Sequence, residues 1–274
     1  MENSKDDDVH PDPGTELYDE ALADGGGPIK PFLGHLEDLR WVLIRCVAAV
    51  GVAMVVCLIS AKSLVWVLQL PLLSSGLEVV PDLMSLGPTT GFIVALKMAM
   101  YGGLIVASPF LVFFIGQFVI PALKNSEKKF LFIAFGVGTG LFFLGVALCY
   151  FYVAPIGIRA MANFSSWLGF AIENWKAESY FDFITKFMLG MGASFEMPVI
   201  VLSLVKIGLV DYRNLAGFRR YMIVICMVIS AILTPQDIIS MVMVAIPLIV
   251  LYEICIWIAW FWFRKEQKEA EKEA

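Results

Sequence analysis

One carboxylate lies at the centre of a long apolar segment. Between Lys186 and Lys206 the only charged residue is Glu196, and nine uncharged residues flank it on each side. A helix of about 20 apolar residues crosses the hydrocarbon core of a bilayer. A carboxylate at that depth is costly unless it is paired, protonated or faces a wet cavity. We therefore interpret Glu196 as a functional intramembrane group, the alternative being a protonated carboxyl hydrogen-bonded between helices.

The apolar segments contain two further residues of interest, Pro198 and Glu253. Pro198 follows Glu196 by two residues and has no backbone N–H, which predicts a helix bend beside the carboxylate. Glu253 lies in the last apolar segment, before its end. We interpret Glu253 as one half of a structural ion pair, with Arg45 as the partner if the first and last helices touch.

Acidic residues also occur where apolar segments begin or end. Glu37 and Asp38 precede the first segment, and Arg40 follows Asp38 by two residues. Phe118 and Glu127 flank a basic turn between the second and third segments. Each cluster has an ordinary explanation by itself, because acids suit helix N-termini and Glu37 and Arg40 have i,i+3 spacing.

The composition predicts an all-α integral membrane protein. The chain is 59% hydrophobic with a mean hydropathy of +0.79, whereas soluble domains are about 45–50% apolar. The pattern contains six hydrophobic segments, at about 41–61, 98–123, 130–158, 187–205, 221–233 and 238–263. The fifth has only 13 residues, so it would reach about 20 Å into a core of about 30 Å. It should form a tight hairpin with the sixth whose tip does not reach the far surface.

The regions outside the 31–263 membrane domain are charged. Residues 1–30 are acidic and lack an apolar h-region, so we predict a disordered tail rather than a signal peptide. Residues 264–274 are rich in Ala, Glu and Lys and should extend the last helix. Lys and Arg collect at alternate ends of the segments, which predicts that both termini are cytoplasmic.

Two long connections, 62–91 and 157–182, should therefore be external. They carry several prolines and aromatic residues, which favours an ordered cap, the alternative being aromatic anchoring at the membrane interface. Two motifs are ordinary: Gly136, Gly138 and Gly140 predict close helix packing, and the internal Arg219-Arg220 pair predicts an anchor on the inner side.

Catalytic and cofactor chemistry is not indicated. The two histidines and five scattered cysteines form no metal-ligand pattern, and no phosphate-binding GxxxxGK[ST] loop is present. The apolar segments lack a Ser/His pair or an aspartate dyad. We therefore expect no metal, no cofactor, no nucleic-acid partner and no enzymatic activity.

Taken in order, the motifs are more specific than any one alone. They read HLEDLR, then SPFLVFFIGQFVIPALKNSEKK, then FEMPVIVL, then RRYMIVICMVISAILTPQDIISMVMVAIPLIVLYEI. This order resembles the TatC family, the multi-spanning receptor subunit of the twin-arginine protein translocase, over about 31–263.

The resemblance implies both a fold and a function. TatC proteins have six helices in a concave, glove-like arrangement in the bacterial inner membrane, with both termini cytoplasmic. They bind the twin-arginine signal peptides of folded precursors and gather single-span TatA-like and TatB-like subunits. They self-associate in a multimeric receptor complex embedded in membrane lipid, and transport depends on the proton-motive force.

The resemblance also assigns residues to roles. Those matching family positions in the cytoplasmic motifs, the first external loop, the membrane and the last external turn are Asp38, Arg40, Phe118, Glu127, Pro71, Glu196 and Asp237. Three positions depart from the usual pattern: Val42 replaces a second arginine, and Phe114 and Met241 replace glutamines. Arg45, about one turn after Val42, is a candidate substitute for the missing arginine.

A twin-arginine ligand requires carboxylates that accept two guanidinium groups. Glu127, with Asp38 or Glu37, supplies the candidates, whereas Glu196 lies half a bilayer away. Its expected task is to hydrogen-bond a partner's transmembrane helix or to admit water. The alternative is a proton-coupled secondary transporter that uses Glu196 and Glu253, although no internal repeat supports it.

Overall fold

The computed structural model describes residues 32–119, 125–170, 173–234 and 238–273. The predicted 1–30 tail and Asp237 therefore lie outside the described residues. The described chain is mostly helical, and its helices are α1 Phe32–Ile59, α2 Ala61–Leu73, α3 Thr90–Val119, α4 Asn125–Leu148, α5 Ala154–Trp167, α6 Ala177–Phe195, α7 Met197–Lys206, α8 Tyr212–Gly217, α9 Arg219–Leu233 and α10 Ile238–Glu273. Two short strands, β1 Asp82–Met84 and β2 Asn174–Lys176, complete the fold.

Within the described ranges, five helical stretches are long and apolar enough to cross a membrane. They are Leu36–Ile59, Thr90–Phe118, Ile133–Trp167, Ala177–Lys206 and Met241–Arg264. The remaining predicted segment corresponds to α9, which has 15 residues and so spans about 22 Å. The short fifth segment is thus confirmed as a helix that is too short to cross a core of about 30 Å.

Two spans begin earlier than the hydropathy pattern predicts. The second starts at Thr90 rather than near residue 98, and the fourth starts at Ala177 rather than 187. The lysines that ended each apolar run, Lys97 and Lys186, lie inside helices because both are ion-paired with Asp182. Pairing with a carboxylate offsets part of the cost of a lysine near the apolar region.

The third span continues past its predicted end. It was expected to stop near Ile158, but the helix runs to Trp167 through a π-turn at Cys149–Val153. Pro155, at the start of α5, lacks the N–H that would continue the α-helical pattern. The wider turn accommodates the proline without ending the helix, so the first part of the predicted connection 157–182 is helical.

Glycines allow the helices to pack closely around α6. A Cβ added at Gly103 of α3 would lie 2.7 Å from Cγ of Met54 in α1, and one at Gly145 of α4 would lie 2.7 Å from Cγ of Phe195 in α6. Buried side chains from α6, including Ile184 and Phe187, lie at the centre of the largest hydrophobic cluster. The α9–α10 hairpin packs against this cluster through Cys226, Val244 and Leu248.

The two long connections join each other. Strand β1 from the first connection pairs in parallel with β2 from the second, and Leu83 faces Trp175 across the pair. Both residues pack against the main hydrophobic cluster. The prediction of an ordered cap is therefore confirmed; hereafter the cap denotes α2, β1 and β2.

Candidate functional site

Glu196 lies at a break in the fourth membrane span. It connects α6 to α7, and the amides of Val199 and Ile200 donate to its carbonyl at 3.1 and 3.2 Å. Pro198 lies in the first turn of α7, where its missing N–H is tolerated. The α-helical pattern is therefore interrupted at the carboxylate, at the place where Pro198 predicts a bend.

The Glu196 side chain packs against a glycine of α4. A Cβ added at Gly138 would lie only 2.6 Å from Oε2 of Glu196, whereas Gly136 and Gly140 have no such neighbour within 4 Å. The prediction of close packing is therefore confirmed at Gly138 and wrong at Gly136 and Gly140. The repeat of three glycines did not show which one faces the neighbouring helix.

One oxygen of Glu196 has an unused capacity for hydrogen bonding. Oε1 is buried and has no hydrogen-bond partner among the described residues. A buried acceptor left in this state costs about 1–3 kcal/mol. The site therefore favours any donor that can reach this oxygen from outside the described chain.

The acidic motifs of the first three spans lie at one end of the molecule. Helices α1 and α3 run antiparallel, because Cβ atoms added at Gly103 and Gly102 of α3 would meet Met54 and Cys57 of α1, respectively. Helices α3 and α4 also run antiparallel, since Gly116 meets Phe135. With a rise of about 1.5 Å per residue, the starts of α1 and α4 and the end of α3 lie at the same end of the bundle, within roughly 10 Å of one another along the helix axes.

This common end carries the residues assigned to signal-peptide binding. Glu37 and Arg40 are exposed in the first turns of α1, and Asp38 is half-buried. Phe118 is half-buried in the last turn of α3. The backbone of Glu127 lies in the first turn of α4. The structure thus brings to one end of the bundle three segments that are far apart in sequence.

Glu253 forms an ion pair, but its partner is not Arg45. Oε1 of Glu253 lies 2.7 Å from a guanidinium nitrogen of Arg219. Nearby, the Tyr252 hydroxyl donates to the Leu215 carbonyl at 2.9 Å, which ties α10 to α8. Because α10 packs on α8 and α9, Glu253 meets Arg219, whereas α1, with the exposed Arg45, packs mainly on α3.

A charged cluster between α3 and α6 was not predicted. The Lys97 ammonium lies 3.0 Å from Glu178 and 3.2 Å from Asp182, and Lys186 lies 2.7 Å from Asp182. Lys186 also lies over the Tyr101 ring at 5.9 Å from its centroid. The sequence feature that could have revealed part of this cluster was the i,i+4 spacing of Asp182 and Lys186, which places them on one face of a helix.

A cavity lies beside the tip of the short helix α9. Its volume is about 680 Å³, and its walls come from α5, β2, α6 and the end of α9 at Thr234.

Comparison with known proteins identifies the family. The family model for the Sec-independent protein translocase protein (TatC) matches residues 34–247. The chain belongs to the TatC family. TatC proteins are components of a protein translocase, so this TatC chain acts in protein transport and is not an enzyme.

Relatives cover most of this TatC chain. It is 35% identical to the TatC protein of Aquifex aeolicus over 88% of the chain and 99% of that protein, and 32% identical to that of Helicobacter pylori over 84% and 87%. The TatC protein of Akkermansia muciniphila is 38% identical over 68% of the chain, but the match spans only 53% of that protein.

A solved structure agrees with the fold. The crystal structure of the twin-arginine translocase receptor TatC matches with a TM-score of 0.74 and 34% identity. The match covers 83% of this chain and 98% of that one. The resemblance inferred from the ordered motifs is thus confirmed.

Proposed function

We propose that this chain is the receptor subunit of a twin-arginine translocase in the bacterial cytoplasmic membrane. Both termini and the end that carries the acidic motifs face the cytoplasm, and the cap faces the external side. Residues 31–263 form the membrane domain, 1–30 an acidic N-terminal tail and 264–274 a cytoplasmic tail. The observation that carries the proposal is that the first turns of α1 and α4 and the last turn of α3 lie at one end of the bundle.

The signal peptide is recognised at this common end. Its paired arginines bind Glu127 together with Glu37 or Asp38, because guanidinium groups pair with carboxylates in bidentate geometry. Arg40 follows Glu37 at the i,i+3 spacing that allows it to orient a carboxylate. Phe118 supplies an aromatic surface beside these charges.

Charge pairing supplies only part of the affinity. Exposed ion pairs contribute about 0–1 kcal/mol each, and Glu37 is exposed. Burial of the signal's apolar stretch against the bilayer and the helices adds about 25 cal/mol per Å² of apolar surface. The carboxylates therefore provide selectivity for arginine, and the apolar contact provides much of the free energy.

Glu196 and the tip of α9 form a second functional region, which assembles partner subunits. Oε1 of Glu196 is a buried acceptor without a described partner. A polar donor on the helix of a TatA-like or TatB-like subunit would satisfy it inside the bilayer. Pro198 belongs to this region through the break before α7, and Asp237 is assigned to it because it follows α9 in the sequence. The short α9 thins the lipid locally, and further copies of the chain join the same complex.

The secondary-transporter alternative is disfavoured. It requires Glu253 as a proton carrier, yet Glu253 is ion-paired with Arg219 at a site where both side chains are more than 40% exposed. A proton relay through the bilayer centre would then rest on Glu196 alone among the described intramembrane carboxylates.

Site-specific crosslinking tests the proposal. A photoreactive amino acid at position 39, beside Asp38, should crosslink to a twin-arginine precursor, and one at position 197, beside Glu196, to a single-span subunit. Glu127→Ala should abolish the first product and leave the second. Glu196→Ala should do the reverse, because the two sites are half a bilayer apart.

A matched control removes charge without touching either region. Glu173→Ala changes an exposed carboxylate beside the cap and should leave both crosslinks intact. Precursor crosslinking at wild-type level in Glu127→Ala would contradict the receptor assignment. Loss of that crosslink in normally expressed Glu196→Ala would contradict the separation of the two regions.

A further inference from the structure

One carbonyl in the second half of α2 lacks the amide that an α-helix would supply four residues later. Pro71 lies inside α2 and is buried. In an α-helix the N–H of residue 71 would bond the carbonyl of Val67, but proline has no N–H. The Tyr150 hydroxyl occupies this position and donates to the Val67 carbonyl at 2.7 Å.

The neighbouring carbonyls of α2 are also bonded. The Tyr180 hydroxyl donates to the Leu68 carbonyl at 2.6 Å, and the Ser74 amide donates to Leu70 at 2.8 Å. The Ser74 and Ser75 hydroxyls donate to the carbonyls of Pro71 and Leu72 at 3.2 and 2.6 Å. Of these donors only the two tyrosines come from other helical segments, so they tie α2 to the membrane helices.

The two tyrosine bonds differ in one respect. The Leu68 carbonyl can still receive the Leu72 amide in the ordinary helical pattern, so the Tyr180 bond is additional. The Val67 carbonyl has no such amide, so its Tyr150 bond is the replacement for a missing one. A hydrogen bond of this kind contributes about 0.5–1.5 kcal/mol.

A second proline accounts for the local structure around Tyr150. Tyr150 lies in the π-turn Cys149–Val153, where the Ala154 amide bonds back five residues to the Cys149 carbonyl. Pro155 cannot donate to the Phe151 carbonyl, and the wider turn shifts the bonding partners by one residue. Pro71 thus leaves the Val67 carbonyl without its helical amide. Pro155 accompanies the π-turn that carries Tyr150, the residue that donates to this carbonyl.

We propose that Tyr150 is a positioning residue of the translocase: its hydroxyl replaces the amide that Pro71 lacks and thereby fixes α2 on the third membrane span. The outer surface of α2 carries Trp66, which is 64% exposed. Without the bond, α2 pivots about its remaining attachments and changes the position of this surface. The inference rests on the proposed function only for its transport readout.

A double-mutant comparison tests the role. Tyr150→Phe removes the hydroxyl, whereas Pro71→Ala restores the amide that the Val67 carbonyl lacks. Hydrogen exchange of the α2 amides is measured on the full chain in lipid nanodiscs, together with export of a twin-arginine precursor in cells. Tyr150→Phe should raise α2 exchange about tenfold and reduce export. In the Pro71→Ala background the same change should alter exchange less than about twofold, because Val67 then has its own donor.

Two tyrosines of the same region provide controls. Tyr152→Phe alters an exposed ring in the same π-turn and should leave α2 exchange unchanged. Tyr180→Phe should have the same effect in both backgrounds, because the Leu68 carbonyl is not freed by Pro71. If Pro71→Ala does not fold, Tyr150→Phe must still raise α2 exchange more than Tyr152→Phe does in the native background.

Two outcomes would overturn the proposal. One is a Tyr150→Phe effect on exchange that is equal in both backgrounds or no larger than that of Tyr152→Phe. The other is faster exchange with undiminished export. Failure of the proposed function is distinguishable, because it would appear as absent twin-arginine export in the unsubstituted chain.

Discussion

Substitution of Gly138 is the sharpest test of the intramembrane site. Glycine at this position admits the Glu196 carboxylate, and a Cβ there would lie 2.6 Å from Oε2. Gly136 and Gly140 lie on the same helix with nothing within 4 Å of an added Cβ. Gly→Ala is therefore the same chemical change at all three positions, but only at Gly138 does the new methyl group meet a neighbouring side chain. Gly136→Ala and Gly140→Ala serve as matched controls.

The magnitude follows from two opposing terms. Alanine is more favourable than glycine in a helix by up to about 1 kcal/mol, so Gly136→Ala and Gly140→Ala should be neutral or slightly stabilising. At Gly138 the carboxylate oxygen must retreat by roughly 0.8 Å, from 2.6 Å to the 3.4 Å of an ordinary contact. Overpacking costs about 1–3 kcal/mol, and the low end applies because the end of a flexible side chain can move. Gly138→Ala should therefore be about 1–2 kcal/mol less stable than the two controls.

The assay has a structural and a functional arm. Thermal unfolding of the purified chain in detergent ranks the three alanine variants, and precursor export in cells reports transport. Gly138→Ala should impair export while signal-peptide crosslinking persists, because the carboxylate is displaced from the place where a partner's donor would reach it. In a Glu196→Ala background the Gly138→Ala penalty should vanish, since the clashing oxygen is gone and Val199 lies at an ordinary 3.5 Å.

One result would refute the reasoning. If Gly138→Ala matches Gly136→Ala in both stability and export, the Glu196 carboxylate does not rest on Gly138. A penalty that persists unchanged in the Glu196→Ala background would also show that the clash involves another group.

Two further predictions concern the ion pairs. Glu253→Gln should lower the free energy of unfolding by no more than about 1 kcal/mol, because both partners are more than 40% exposed; a larger loss in detergent unfolding would mean that the pair is effectively buried. Lys97→Met should destabilise the protein more than Lys186→Met, because Lys97 is the less exposed lysine and joins Glu178 and Asp182 across two helices. Thermal unfolding of the two variants compares them directly, and equal losses would show that the cross-helix pairing adds nothing.

The sequence predicted the membrane elements better than their ends. A run of 13 apolar residues was enough to predict that the fifth helix is short, because length limits reach directly. Lys97 and Lys186 ended their apolar runs too early, since hydropathy does not register that a distant carboxylate will pair with a lysine. The third span was likewise predicted too short, because its helix continues beyond the apolar run that ended near Ile158 and reaches Trp167.

Some features of the candidate sites were predictable from the local sequence, and others depended on how the helices pack. Glu196 and its helix break were predictable because the cost of burial and the missing proline amide are properties of the local sequence. The partner of Glu253 was not, because it depends on which helix packs beside α10. The acidic end of the bundle required both kinds of information: the motifs named Glu37 and Glu127, and the antiparallel order of α1, α3 and α4 brought their segments to the same end.

The pairing of β1 with β2 has a consequence for biogenesis. The strands flank α3 and the whole α4–α5 span, so two complete membrane crossings must be synthesised between them. During translation β1 remains without its partner until the second of these crossings has emerged from the ribosome and entered the bilayer. The β1–β2 pair therefore forms late in biogenesis. It joins the first half of the protein to the second only after three spans have been inserted into the bilayer.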